Sequence, residues 1–193
     1  MNENQSPQNR FSQEPIGRGQ SEPDMLIREP AYSIEDQIAD ENNFKSGANW
    51  FYWIAGLSLV NSILIFAGAG WGFVVGLGVT QIIDAIAYAI GHTYGTTIPL
   101  YLAFVADTLV AGSFIFIGYM ARQRKNLAFI AGMALYAADG TLFLMTLDVL
   151  GIGFHLLALI FIYRGYQALS KMEQAEKLTA SQIPRGVPEE MAR

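Results

Sequence analysis

Four ionisable side chains, Asp84, Asp107, Asp139 and His155, stand inside long apolar stretches where charge is expensive. Holding one such group in hydrocarbon costs about 2.5–3.5 kcal/mol even on lenient insertion scales, so each needs a partner or a task. Three carboxylates and an imidazole suit three kinds of chemistry. Oxygen and imidazole ligands hold divalent cations such as zinc, manganese or iron. Carboxylate–histidine chains relay protons, because histidine titrates near neutral pH. The same groups, neutral or hydrogen-bonded, can simply tie one helix to the next. No spacing such as His-x-x-x-His or Glu-x-x-His singles out a metal, so that question stays open, and no cofactor is expected. His92 and Asp148 are the neighbouring candidates, both in connections.

The elements that position these residues follow from apolar length. Residues 46–121 contain no lysine or arginine. At roughly 20 residues per crossing, that run suffices for three membrane spans. After Arg122, Arg124 and Lys125, the stretch 126–169 suffices for two more. The expected fold is an all-α integral membrane helical bundle of about five transmembrane helices, at about 49–67, 72–91, 98–121, 126–147 and 150–169. Trp50, Phe51, Tyr52 and Trp53 open the first span with aromatic rings suited to the headgroup region. Gly68-Ala69-Gly70 offers a tight reversal, and Pro99 fits the first turn of the third helix. From helix rise, Asp84, Asp107, Asp139 and His155 lie roughly 8–13 Å below one edge of the bundle, on four different helices. They are expected to meet in one polar cluster.

Charge is segregated. Hydrophobic residues make up 52% of the chain and charged residues 15%, against about 25% charge in soluble domains. The tail 1–47 carries four cations and nine anions, whereas 48–169 and 170–193 each carry four of both signs. The net charge of −5 therefore belongs to one tail, and no basic face is left for nucleic acid. With no cysteine, disulfides and thiolate chemistry are excluded. The polar start of the chain shows no targeting peptide, and residues 1–30 lack the apolar content to order themselves. Ile34 and Ile38, four apart, predict a short surface helix between Tyr32 and Phe44. The tail 170–193 is expected to be short and polar.

Orientation follows from the cations. Arg122, Arg124 and Lys125 share one short loop, and Arg164 and Lys171 flank the last span, so both sites are expected to be cytoplasmic. Five crossings then put the acidic tail on the far side. A competing topology keeps both ends of the chain on one side and lets the glycine-rich segment 72–91 fail to cross. A faint repeat relates Ile54-Ala55-Gly56 and Gly76-Leu77-Gly78 to Ile130-Ala131-Gly132 and Gly151-Ile152-Gly153. It fits either an inverted repeat or glycines selected for close helix packing.

The remaining polar positions fit packing. Ser58, Asn61 and Ser62 occupy one side of the first span, and Gln81 sits one turn from Asp84. Gly76-x-Gly78 follows no strand and is no dinucleotide loop, and no Gly-x-Ser-x-Gly elbow or phosphate loop occurs.

Two stretches carry a resemblance. One runs from Gly132-Met133-Ala134-Leu135-Tyr136-Ala137-Ala138-Asp139-Gly140 through Leu147-Asp148-Val149-Leu150-Gly151-Ile152-Gly153-Phe154-His155 to Tyr163-Arg164-Gly165-Tyr166. The other joins Asn49-Trp50-Phe51-Tyr52-Trp53 to Gly76-Leu77-Gly78-Val79-Thr80-Gln81-Ile82-Ile83-Asp84. Together they look like a group of small bacterial multi-pass membrane proteins to which no activity is assigned. The resemblance implies a bacterial cytoplasmic membrane. The expected role is non-enzymatic: a structural, assembly or sensing component, with a small-solute, proton or ion carrier as the alternative. The expected partners are the lipid bilayer and a second copy or another membrane protein.

Overall fold

The computed structural model describes residues 32–69 and 76–182, and all of its regular structure is helical, with no strand among those residues. Five helices follow one another. They are α1 (Ile34–Phe66), α2 (Gly78–Tyr94), α3 (Ile98–Arg122), α4 (Asn126–Thr146) and α5 (Val149–Gln182). The expected helical bundle is therefore present.

α1 starts at a capping box. The Asp36 N–H donates to Ser33 Oγ at 3.1 Å and the Ser33 N–H to the Asp36 carboxylate at 3.2 Å, satisfying donors that a helix start leaves open. Its 33 residues span roughly 50 Å, more than the 30 Å or so of a bilayer core. The first turns, with Glu35, Asp36, Asp40, Glu41 and Lys45, therefore run past the apolar stretch. The short surface helix expected before Phe44 is the beginning of this helix, and the acidic tail is ordered from Ser33 onward. Residues 1–31 lie outside the described residues. α5 likewise continues 13 residues past the expected end at 169, carrying Glu173 and Glu176 to Gln182. Residues 183–193 also lie outside the described residues.

The other helix ends have local causes. Gly95, at φ 62°, closes α2 in the left-handed conformation that glycine adopts freely. Pro99 sits in the first turn of α3. Asp148 Oδ1 accepts the N–H groups of Leu150 and Gly151, at 3.1 and 3.2 Å, and so caps α5.

α1 is the central helix, packed against both α3 and α5, while α2 lies on α3 and α4 on α5. Gly47 and Gly165 let α1 and α5 cross at backbone contact: a Cβ added at Gly47 would stand 2.6 Å from Gly165 Cα. Phe129 lies between Phe44 and Phe51, with centroids 6.0 and 6.1 Å away, and joins α4 to this crossing.

The two ends of the bundle are marked by different contacts. At one end Arg124, in the α3–α4 turn, pairs with Glu41 of α1 and Glu176 of α5. At the other, the Phe66 ring packs on Tyr101 and Phe104 of α3, at 5.1 and 5.4 Å. α2 does not start at either end. The Leu77 N–H, just before it, donates to Ser58 Oγ at 2.8 Å, and Ser58 lies eight residues, roughly 12 Å, inside the end of α1. From there α2 runs outward to its turn with α3.

This arrangement corrects two expectations. The second helix begins at Gly78, part way into the bundle, rather than filling 72–91; residues 70–75 lie outside the described residues. The start of α1 stands beside the cationic 122–125 turn, not opposite it, because a helix that sets out from mid-depth adds no reversal to the count. Four helices, α1, α3, α4 and α5, have the length and hydropathy to cross a membrane. The exterior agrees: Leu102, Val105, Leu109, Phe116 and Ile160 are more than half exposed, while Ser58, Ser62, Thr80, Asp84, Asp107, Asp139 and His155 are buried. Apolar outside and polar inside is the distribution that suits lipid as the solvent.

Candidate functional site

All four candidate ionisable residues are buried and on the same half of the bundle, but they form two networks rather than one cluster.

The first network is built around the start of α2. That helix has no side-chain cap of its own. Asp139, reaching across from α4, takes that place: its Oδ2 accepts the Gly78 N–H at 2.8 Å and its Oδ1 the Val79 N–H at 2.9 Å. A carboxylate at a helix N-terminus also meets the positive end of the helix dipole. The same Oδ2 lies 2.9 Å from His155 Nε2 on α5. His155 Nδ1 is 2.8 Å from the Gly151 carbonyl oxygen, which only accepts, so Nδ1 carries a hydrogen. The ring stacks on Tyr136 at 4.3 Å between centroids and leans on Phe143 at 4.7 Å. Three helices, α2, α4 and α5, thus meet at one carboxylate.

Close packing reinforces that junction. The Phe143 ring fills the space beside both Gly78 and Gly151, leaving no room for a Cβ at either. Of the glycines in the faint sequence repeat, Gly78, Gly132 and Gly151 therefore have a packing role, whereas a Cβ at Gly56 or Gly153 would meet nothing within 4 Å. An open groove of about 340 Å³ between α3, α4 and the start of α2 reaches Asp139, with Val110, Phe114, Leu135 and Leu142 in its walls.

The second network lies about five residues further along α2, roughly 8 Å by helix rise. Here the Ser62 hydroxyl of α1 stands 2.8 Å from Asp107 Oδ2 on α3 and 3.2 Å from Asp84 Oδ2 on α2. Asp107 Oδ1 is buried and has no hydrogen-bond partner among the described residues. The arrangement can hold or share a proton. Serine has no imidazole beside it here, so it is no activated nucleophile.

His92 belongs to neither network; it is exposed on the last turn of α2 and stacks on Tyr88 at 6.4 Å. Among the described residues no three histidine, aspartate or glutamate side chains come close enough to share a metal ion. Of the residues first assigned to packing, Ser58 receives the Leu77 N–H and donates to the Ile54 carbonyl at 2.9 Å. Ser62 is the bridge between the two aspartates. Asn61 Oδ1 and Gln81 Nε2 are buried without partners among the described residues. The stacking of Tyr136 and the Gly78 and Val79 amides are contacts of the site that the sequence reading missed. The GxG at 76–78 was the only visible signal for the amides, since close backbone approach favours glycine.

The class that fold and site define is an all-α bundle with an apolar exterior and a buried polar interior. No family model, no curated protein and no solved structure matches this chain.

Proposed function

We propose that this chain is a non-enzymatic integral membrane component with a structural, assembly or sensing role. It crosses the bilayer four times through α1, α3, α4 and α5, with α2 as a half-crossing helix and both ends of the described chain on the cytoplasmic side. The observation that carries this reading is the use of Asp139. Its two oxygens accept two backbone N–H groups and face one imidazole. A carboxylate so occupied holds helices together and is not free to attack or activate a substrate. The four-crossing topology is supported by the contacts of Arg124 with Glu41 and Glu176, which bring the start of α1 and the end of α5 to one end. The cations of the 122–125 turn make that end cytoplasmic by the positive-inside rule.

The chain has no cysteine, so single cysteines at Glu35, Thr96, Gln123 and Thr179 report on topology directly. An impermeant thiol reagent applied to intact cells is expected to label position 96 and spare 35, 123 and 179. Labelling of position 35 together with 123 protected would restore the five-crossing arrangement. For function, wild-type protein in proteoliposomes is expected to carry no pH- or ion-driven flux. Robust flux abolished by Asp139→Asn would overturn the non-enzymatic, non-transporting role.

A proton or ion carrier is the second reading. It is favoured by the Asp84–Ser62–Asp107 contacts, which the structural role does not require.

A further inference from the structure

We propose that Asp84, Ser62 and Asp107 form a proton-binding site that holds one exchangeable proton between two carboxyl groups. This goes beyond the structural reading and does not depend on it.

Hydrogen-bond bookkeeping comes first. Ser62 has one hydroxyl hydrogen and two carboxyl oxygens within reach, at 2.8 Å (Asp107) and 3.2 Å (Asp84). It donates to one. The other contact is a hydrogen bond only when that carboxyl is protonated and donates back to the serine oxygen. With both groups ionised, one contact becomes two lone pairs facing each other in a buried place, and two like charges would share one site.

A second, independent observation is the far side of Asp107. Its Oδ1 is enclosed and has no donor among the described residues. An ionised carboxylate leaves that oxygen as a bare negative acceptor, which is costly. A bound proton removes the charge that makes it so.

The third point is the absence of any cation to do the same work. Residues 46–121, which supply the α1, α2 and α3 faces around the pair, contain no lysine or arginine. On α1 the group facing the pair is Ser62 itself. On α2 the other titratable groups are Tyr88, His92 and Tyr94, toward the far end of the helix. Those on α3 are Tyr101, Tyr119 and Arg122, the last in the final turn 15 residues beyond Asp107, and on α4, which also packs on α2, Tyr136 and Asp139. Asp139 is already engaged with His155 of α5. A proton is what remains to neutralise the pair. The step is acid–base only: one carboxyl O–H bond forms on binding and breaks on release, with nothing oxidised or reduced.

Infrared spectroscopy on the full chain in lipid vesicles tests this. At neutral pH, wild type minus the Asp84→Asn/Asp107→Asn double variant should show the carbonyl band of one protonated carboxylic acid, sensitive to deuterium exchange. Raising the pH should release one more proton per chain from wild type than from the double variant. Ser62→Ala keeps both carboxyls and should shift the band, whereas Ser58→Ala should leave it in place. This arm does not require the double variant to fold. A difference spectrum with only carboxylate bands overturns the proposal. So does a wild-type band that Ser62→Ala leaves unmoved.

Discussion

Asp139 and Gly78 are 61 positions apart in sequence and meet in one hydrogen bond, 2.8 Å from amide to carboxylate. The bond fixes where α2 begins, and its neighbour to Val79 fixes the direction in which the helix leaves. Because the site is buried, the energetic asymmetry of hydrogen bonds decides what its loss does. A made bond contributes about 1 kcal/mol net, but a buried donor left without a partner costs about 1–3 kcal/mol. Asp139→Leu strands the Gly78 and Val79 amides together, and leaves Nε2 of the His155 ring without its partner. The expected loss is about 3–5 kcal/mol in reversible unfolding from lipid or detergent. Asp139→Asn keeps a carbonyl oxygen for one amide and should lose less than half as much. Equal losses for the two variants would show that the contact does not anchor α2.

Gly47 and Gly165 make a second, purely steric prediction. A Cβ on either would meet the other's backbone, which cannot swing aside as a side chain does. Overpacking of this kind costs about 1–3 kcal/mol. Gly47→Ala and Gly165→Ala should each destabilise by that amount. The double variant should lose less than their sum, because helices already forced apart by the first methyl accommodate the second. Thermal unfolding of the three variants measures this. Strict additivity would mean that the two glycines do not share one crossing.

What could be seen in the sequence was whatever depends on local composition. Apolar length marked the helices, and the absence of cations from 46–121 marked a stretch whose composition suits lipid. Helix rise placed Asp84, Asp107, Asp139 and His155 at similar depth, and they do share one half of the bundle. Rise does not say how a helix is turned about its axis. Two pairs with different partners therefore looked like one cluster. The start of α2 was illegible for a stronger reason. It depends on Asp139 and Ser58, supplied by two other helices, and within residues 72–78 only the glycines at 76 and 78 hint at the close approach. The lengths of α1 and α5 were missed because their polar ends are unsuited to lipid. Those ends pair with each other through Asp40 and Lys171, and both pair with Arg124 of the α3–α4 turn through Glu41 and Glu176.

Tyr32 gives a pH prediction outside the membrane part. Its phenol donates to Asp40 Oδ2 at 3.0 Å. Burial first, then the hydrogen bond and negative charge of Asp40, push it from its ordinary value of 10.0 up to about 12. A group whose pKa is raised by folding contributes stability that is fully present below the unfolded value. That stability is lost as the pH climbs through the folded one. The wild type should therefore be more stable than Tyr32→Phe at neutral pH and lose that advantage between about pH 10 and 12. Tyrosinate absorbance, wild type minus Tyr32→Phe, should appear late in the same window. A phenol ionising at its ordinary value would refute the contact.

Arg124 looks like the strongest clamp in the molecule, with Glu176 at 2.8 Å and Glu41 at 3.2 Å, yet it should matter far less than Asp139. The arginine side chain is 43% exposed and its partners 65% and 32%. Pairs this wet contribute about 0.2–1 kcal/mol each, and salt screens them over roughly 8 Å at physiological strength. Against that gain stands its backbone, at φ 59°, a left-handed conformation costing about 1–2 kcal/mol for a residue other than glycine. Arg124→Ala loses the pairs and keeps the strain, so it should destabilise by about 1 kcal/mol, with the difference fading in molar salt. Arg124→Gly loses the pairs and the strain together and should be close to neutral. Unfolding of both variants at low and high salt separates the two contributions. A salt-independent loss of several kcal/mol in Arg124→Ala would mean that the clamp, and not the Asp139 junction, holds the bundle together.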